Sequence, residues 1–165
     1  MNREQVISDL ADVYFEFLNS IKWDNQLLLN GLKEGKNKFL SNVYLHLCQG
    51  KHSIVNYHSI NALEIYKNSS GNLTRGLLVF EHMIPKEKYI QKPCEEIIQM
   101  EISPELKREK INQLLDKYWH IASITTSEDK SIKHKKTMPE NWDGQNIFAR
   151  YEVANISTLK NDFWQ

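Results

Sequence analysis

Glu81 and His82 stand side by side at the end of an apolar run, Leu77-Leu-Val-Phe80, with Pro85 following in Met-Ile-Pro85. An imidazole is the commonest proton acceptor near neutral pH, and a glutamate is a hard oxygen ligand suited to Mg²⁺ or Mn²⁺. Neighbours on a strand point to opposite faces, so the pair can converge on one site only if the chain bends, which Pro85 favours. The plainer reading is a solvated strand edge or a capping pair.

A second group lies at Thr125–Asp129, where Glu128 and Asp129 offer two more carboxylates. Lys130, Lys133, Lys135 and Lys136 follow in a basic tract with His134. Such a tract can hold phosphates, or it is a helix end whose cations complement the dipole. Arg150 can clamp a phosphate with two parallel hydrogen bonds, or pair with Glu152 or another surface acid. Trp142 in Asn-Trp-Asp-Gly144 can stack on a base, although packing over the core is the commoner use of such a ring. His46, His52 and His58 recur every six residues, a spacing that fits neither helix nor strand, and read as unrelated.

The elements that must position these groups follow from periodicity. Val6, Leu10, Val13, Tyr14, Phe17, Leu18 and Ile21 mark one face of a helix over residues 3–22. A second helix is expected over Lys38–Cys48, with Gly50 as its stop, and a third after Ser59. Asn68–Asn72 reads as a turn. Leu77–Phe80 reads as a buried strand that ends by Pro85. Residues 86–101 read as partly helical. Ser103-Pro104-Glu105 is a helix start. Ile121–Thr125 reads as a second strand, and Thr125-Thr-Ser-Glu128 has the form of a capping box opening a short helix. Pro139–Gly144 is a turn, and Asn146–Ala154 a last helix.

The fold expected is α+β: a helical N-terminal half, then a C-terminal half with a short two-stranded sheet and flanking helices. The 165 residues fit one domain, with a helical subregion over 1–67 and a strand–helix subregion over 73–165. Hydrophobic residues make up 41% and charged ones 25%, which is globular usage. The net charge of zero argues against strong non-specific binding to nucleic acid and leaves room only for a local basic patch. Two cysteines, Cys48 and Cys94, form neither a disulfide framework nor a zinc knuckle. The polar start MNREQVISDL and the lack of a long apolar run point to a cytoplasmic chain that does not cross a membrane.

The segment LLVFEHMIPK, with Ile121–Lys133, resembles the HNH or ββα-metal nucleases. In that motif an acidic residue or histidine precedes an invariant histidine at a strand end. The resemblance implies that His82 is the general base, that Glu81 ligates Mg²⁺ or Mn²⁺, and that Asp129 or Glu128 supplies a ligand from the helix after the second strand, where the family usually has a histidine. It also implies a helical insertion between the strands. The function expected is a metal-dependent endonuclease acting on phosphodiesters. Two alternatives are a non-catalytic inhibitor or adaptor, binding a protein partner or a second copy through the N-terminal helices, and a metal-independent ribonuclease or toxin using His82 with Arg150.

Overall fold

The computed structural model describes residues 2–48, 52–69 and 76–164. Helix α1 spans Arg3–Asn19 and is N-capped by the Asn2 side chain, which accepts from the Glu4 amide at 2.9 Å. Its stripe buries Leu10, Tyr14 and Leu18, whereas Val13 lies outside it at 42% exposed. Helix α2 spans Gln26–Cys48. It begins twelve residues before the expected Lys38, because the Asn25 side chain caps it at the Leu28 amide (3.0 Å). Its first half carries Leu27 and Leu28 outward, and only Leu40, Tyr44 and Cys48 are buried. In that half only Leu29 and Leu32 pack against the core, each half-buried, and two residues make too short an apolar stripe to read. Gly50 and residues 70–72 of the expected turn lie outside the described residues.

Strand β1 is Tyr57–Ser59, and Ser59 N-caps helix α3, Ile60–Asn68. Strand β2 is Leu78–His82. A π-helical turn over Glu87–Gln91 leads into α4, Lys92–Gln99. Helix α5, Pro104–Tyr118, starts on the Ser103 cap as expected. Strand β3 is Ile121–Thr125 and α6 is Thr126–Ser131, with both halves of the capping box present. Helix α7 is Ala149–Val153, shorter than expected, and β4 is Thr158–Lys160.

The chain is an α+β protein with a helical N-terminal part and a four-stranded mixed sheet ordered β2-β3-β1-β4. The two-stranded sheet expected from the sequence is thereby corrected. β1 and β4 have three residues each, too few to show alternation. β1 also falls within the subregion over 1–67 expected to be helical. β2 runs antiparallel to β3, β1 parallel to β3, and β4 antiparallel to β1.

All five residues of β3 are buried, because both faces of the sheet are covered. On one face, Trp119 and Ile121 join the large core built by α1, α2 (chiefly its second half), α4 and α5. On the other, Ala122 and Ile124 pack with Met83, Ile132, Tyr151 and Ile156. Covering both faces explains why even Ser123 and Thr125 are buried and the strand shows no exposed face. Among the described residues, no helix is long and apolar enough to cross a membrane.

Candidate functional site: a cationic cleft at the end of strand β2

β2 pairs with β3 through its last residue, His82 opposite Ile121. The pleat is kept through this corner. Glu81 opposes Ala122 and faces the smaller core, while His82 faces the larger one. The bend at Pro85 comes too late to bring the two side chains onto one face.

Arg150, on α7, closes the end of the strand. Its guanidinium donates to Glu81 Oε1 at 2.6 Å and to the carbonyls of His82 (2.8 Å) and Met83 (3.2 Å). The acid that Arg150 finds is therefore Glu81 and not Glu152, in an ion pair that is 1% exposed on the arginine side. Burial pushes the Glu81 carboxyl up more than Arg150 holds it down. Asp129, from α6, raises it slightly further, and Lys135 opposes that. Asp129 is itself ion-paired with Lys135.

His82 sits in a different setting. Its Nε2 meets Ser41 Oγ at 3.2 Å, and Lys86 Nζ donates to the same Oγ at 2.9 Å and to the Asn37 carbonyl at 2.7 Å. An ammonium only donates, so the Ser41 hydroxyl proton is left free for His82 Nε2; in that arrangement the imidazole proton sits on Nδ1. Nδ1 is buried without a hydrogen-bond partner, and the ring stands edge-on to Trp119 at 4.7 Å. Burial, then Lys86, then Arg150 push the imidazole down to about 3. Of the two adjacent residues, Glu81 is thus the stronger base.

Around this corner lies a cleft of about 600 Å³. Lys86 and Lys88 come from the turn after β2 and Lys92 from the start of α4, Lys135 and Lys136 from the tract after α6, and Arg150 from α7. Against these six cations stand Glu81 and Glu87. The zero net charge of the chain hides this local concentration.

The structure brings Glu81, His82, Arg150, Lys135 and Lys136 to the cleft, with Asp129 bonded to Lys135 at its edge. It does not bring Glu128, Lys130 or Lys133 into the lining. The Glu128 carboxylate accepts from the Thr125 amide (2.8 Å), Ser59 Oγ (2.6 Å) and Asn61 Nδ2 (2.9 Å). Trp142 packs against Tyr89 and Tyr118, as its plainer reading had it. His52 bonds Ser123 Oγ and His58 packs by Tyr66, so the three evenly spaced histidines form no group. Sequence reasoning missed Ser41, Lys86, Lys88 and Lys92. The alternation of cations in Pro-Lys-Glu-Lys after the strand was the available signal for two of them.

The donor set does not make a preformed metal centre. Among the described residues, no three His, Cys, Asp or Glu side chains converge as a metal-binding group. Glu81 and Asp129 each already hold a cationic side chain.

Comparison with known proteins finds no matching family model, no matching curated protein and no matching solved structure.

Proposed function

We propose that this protein holds the phosphate backbone of nucleic acid in the cleft at the end of β2 and acts there as an endonuclease. The observation that carries the proposal is the convergence of cations from three separate stretches of chain on one concavity of a neutral protein. Phosphate neutralisation supplies most of the affinity of such surfaces, and it needs a patch rather than a net charge.

The catalytic half of the proposal is supported by the scaffold. Antiparallel β2 and β3 are followed by α6, which packs on both, an order of elements compatible with ββα-metal nucleases if the helices between the strands stand as an insertion. In this reading the lysines and Arg150 stabilise charge developing on the phosphoryl oxygens. Glu81 accepts the proton of the attacking water, because its carboxyl is pushed up while His82 is held down.

The test uses labelled single- and double-stranded DNA and RNA, with Mg²⁺, with Mn²⁺ and with chelator. Binding is read by anisotropy and cleavage on gels. The double variant Lys88→Glu/Lys136→Glu weakens binding, and Glu81→Gln abolishes cleavage while binding remains. Binding that ignores the double reversal removes the cleft as the site. Cleavage that survives both Glu81→Gln and His82→Ala removes catalysis from this corner, and loss in chelator alone restores the metal-dependent form.

A second reading is a protein-binding surface or homodimer through the N-terminal helices. It is favoured by the first half of α2, where Leu27 is 86% exposed and Leu28 38% exposed. Light scattering across a dilution series, comparing Leu27→Asp with wild type, tests it for a second copy.

A further inference from the structure

The end of the sheet that carries the cleft carries a second, smaller cavity. It measures about 230 Å³ and is lined by Arg3, Asn56, Tyr57, His120, Lys160 and Trp164, with no carboxylate among them. We infer that this cavity is a second phosphate subsite for the same nucleic-acid strand, so that the protein prefers strands long enough to reach both. The inference rests on the proposed function and extends it to the length of the substrate.

Register places the two cavities on one line. Glu81 pairs with Ala122, Ala122 with Tyr57, and Tyr57 with Lys160. Directly paired residues share a face, so Glu81, Tyr57 and Lys160 project to the same side. Three strand spacings separate Glu81 from Lys160, about 14 Å along the sheet. That distance is about twice the spacing of adjacent phosphates and suits phosphates two nucleotides apart on one strand.

The cavities are also joined through the protein. Met83, whose carbonyl Arg150 binds, donates its own amide to the His120 carbonyl at 2.9 Å. Phe148 packs on Tyr57 with ring centroids 5.0 Å apart, two residues before the arginine that holds Glu81.

The donors suit an anion. Arg3 is already paired with Asp116, so it stiffens the wall more than it adds charge. The Lys160 side chain is exposed and has no ion pair or hydrogen bond among the described residues. The Tyr57 hydroxyl likewise has no hydrogen bond among them. Asn56 uses its oxygen to accept from the Ile121 amide at 2.9 Å, which leaves its amide nitrogen as a donor. His120 is pushed down to about 4 by burial and then Arg3, so it enters as a neutral group.

The experiment compares a labelled dinucleotide with a longer single-stranded oligonucleotide, binding wild type, Lys160→Glu, Lys136→Glu and a control reversal at exposed Lys22. Lys160→Glu is expected to weaken the long strand several-fold, to reduce its salt slope by about 0.7, and to leave the dinucleotide unchanged. Lys136→Glu weakens both ligands, and Lys22→Glu neither. If Lys160→Glu leaves the long strand unchanged while Lys136→Glu weakens it, the second subsite is overturned and the cleft stands. Equal losses for both ligands in Lys160→Glu also overturn it, because the effect is then not local. If neither lysine matters, the cleft reading and the subsite fall together.

Discussion

The Arg150 guanidinium donates to Glu81 Oε1 at 2.6 Å from a position that leaves only 1% of its side chain exposed. Its Nη1 satisfies the carbonyls of His82 and Met83, which β2 leaves unpaired where it ends. One side chain therefore fixes the strand end, neutralises the buried acid and sets the floor of the cleft. Arg150→Met is expected to destabilise the fold by about 3–5 kcal/mol, since it leaves a buried carboxylate without its cation. The double variant Glu81→Gln/Arg150→Met should recover part of that loss. Urea denaturation measures both, and a single variant as stable as wild type would show that the pair carries no such weight.

How much of this was readable beforehand differs between the two halves of the cleft. Glu81, His82 and the capping box at Thr125 announce themselves through local chemistry: a polar pair ending an apolar run, and a Thr-x-x-Glu start. The short strands β1 and β4 do not, because three residues carry no period, and what holds them is a distant partner, β3 or β1. The partner of Arg150 was unreadable for a similar reason. Glu81 lies 69 positions away, and only the packing of α7 against the sheet selects it over nearby Glu152. The cleft's lysines come from stretches whose juxtaposition is a property of the fold.

Ser41 bridges Lys86 and His82, and the prediction from that bridge is spectroscopic. Wild-type His82 should show the Nδ1–H tautomer in ¹⁵N-edited imidazole spectra at neutral pH. Ser41→Ala removes the donor to Nε2 and should shift the ring toward the Nε2–H form, at a stability cost of about 1 kcal/mol. An Nε2–H tautomer in the wild type would mean that the serine accepts from the ring instead.

The pH dependence of stability has a definite sign. His82 titrates at about 3 in the folded chain against 6.5 ordinarily, and His120 at about 4. Between those values and 6.5 the unfolded chain binds more protons than the folded one, so stability is full above 6.5 and declines as pH falls through the window. Each histidine contributes a slope of about 1.4 kcal/mol per pH unit where its two states differ by a whole proton. Glu81, with its carboxyl raised, acts in the opposite sense above its ordinary 4.5 and offsets part of the loss. His82→Phe should flatten the acid limb of denaturation midpoints measured across this range. An unchanged limb would place the titration elsewhere.

Glu128 and Asp129 are neighbours with separable roles, and their separation tests the site directly. Glu128 accepts from the cap of its own helix at Thr125, and from Ser59 and Asn61 at the start of α3. It joins two helix N-termini beside β1 and β3, and the positive ends of both helices favour its charge. Hydrogen bonds to a charged group contribute about 1.5–3 kcal/mol each when one partner is removed, though not additively. Glu128→Ala should therefore lower stability by roughly 2–3 kcal/mol and leave nucleic-acid affinity unchanged at a temperature where the variant is folded. Asp129→Asn should do the reverse. It frees Lys135, which leaves stability nearly unchanged because the pair is partly exposed. The added positive charge beside the cleft should tighten binding and steepen its salt dependence. Thermal melts with anisotropy titrations measure both variants. Tightening by Glu128→Ala, or none by Asp129→Asn, would separate the binding surface from the edge of α6.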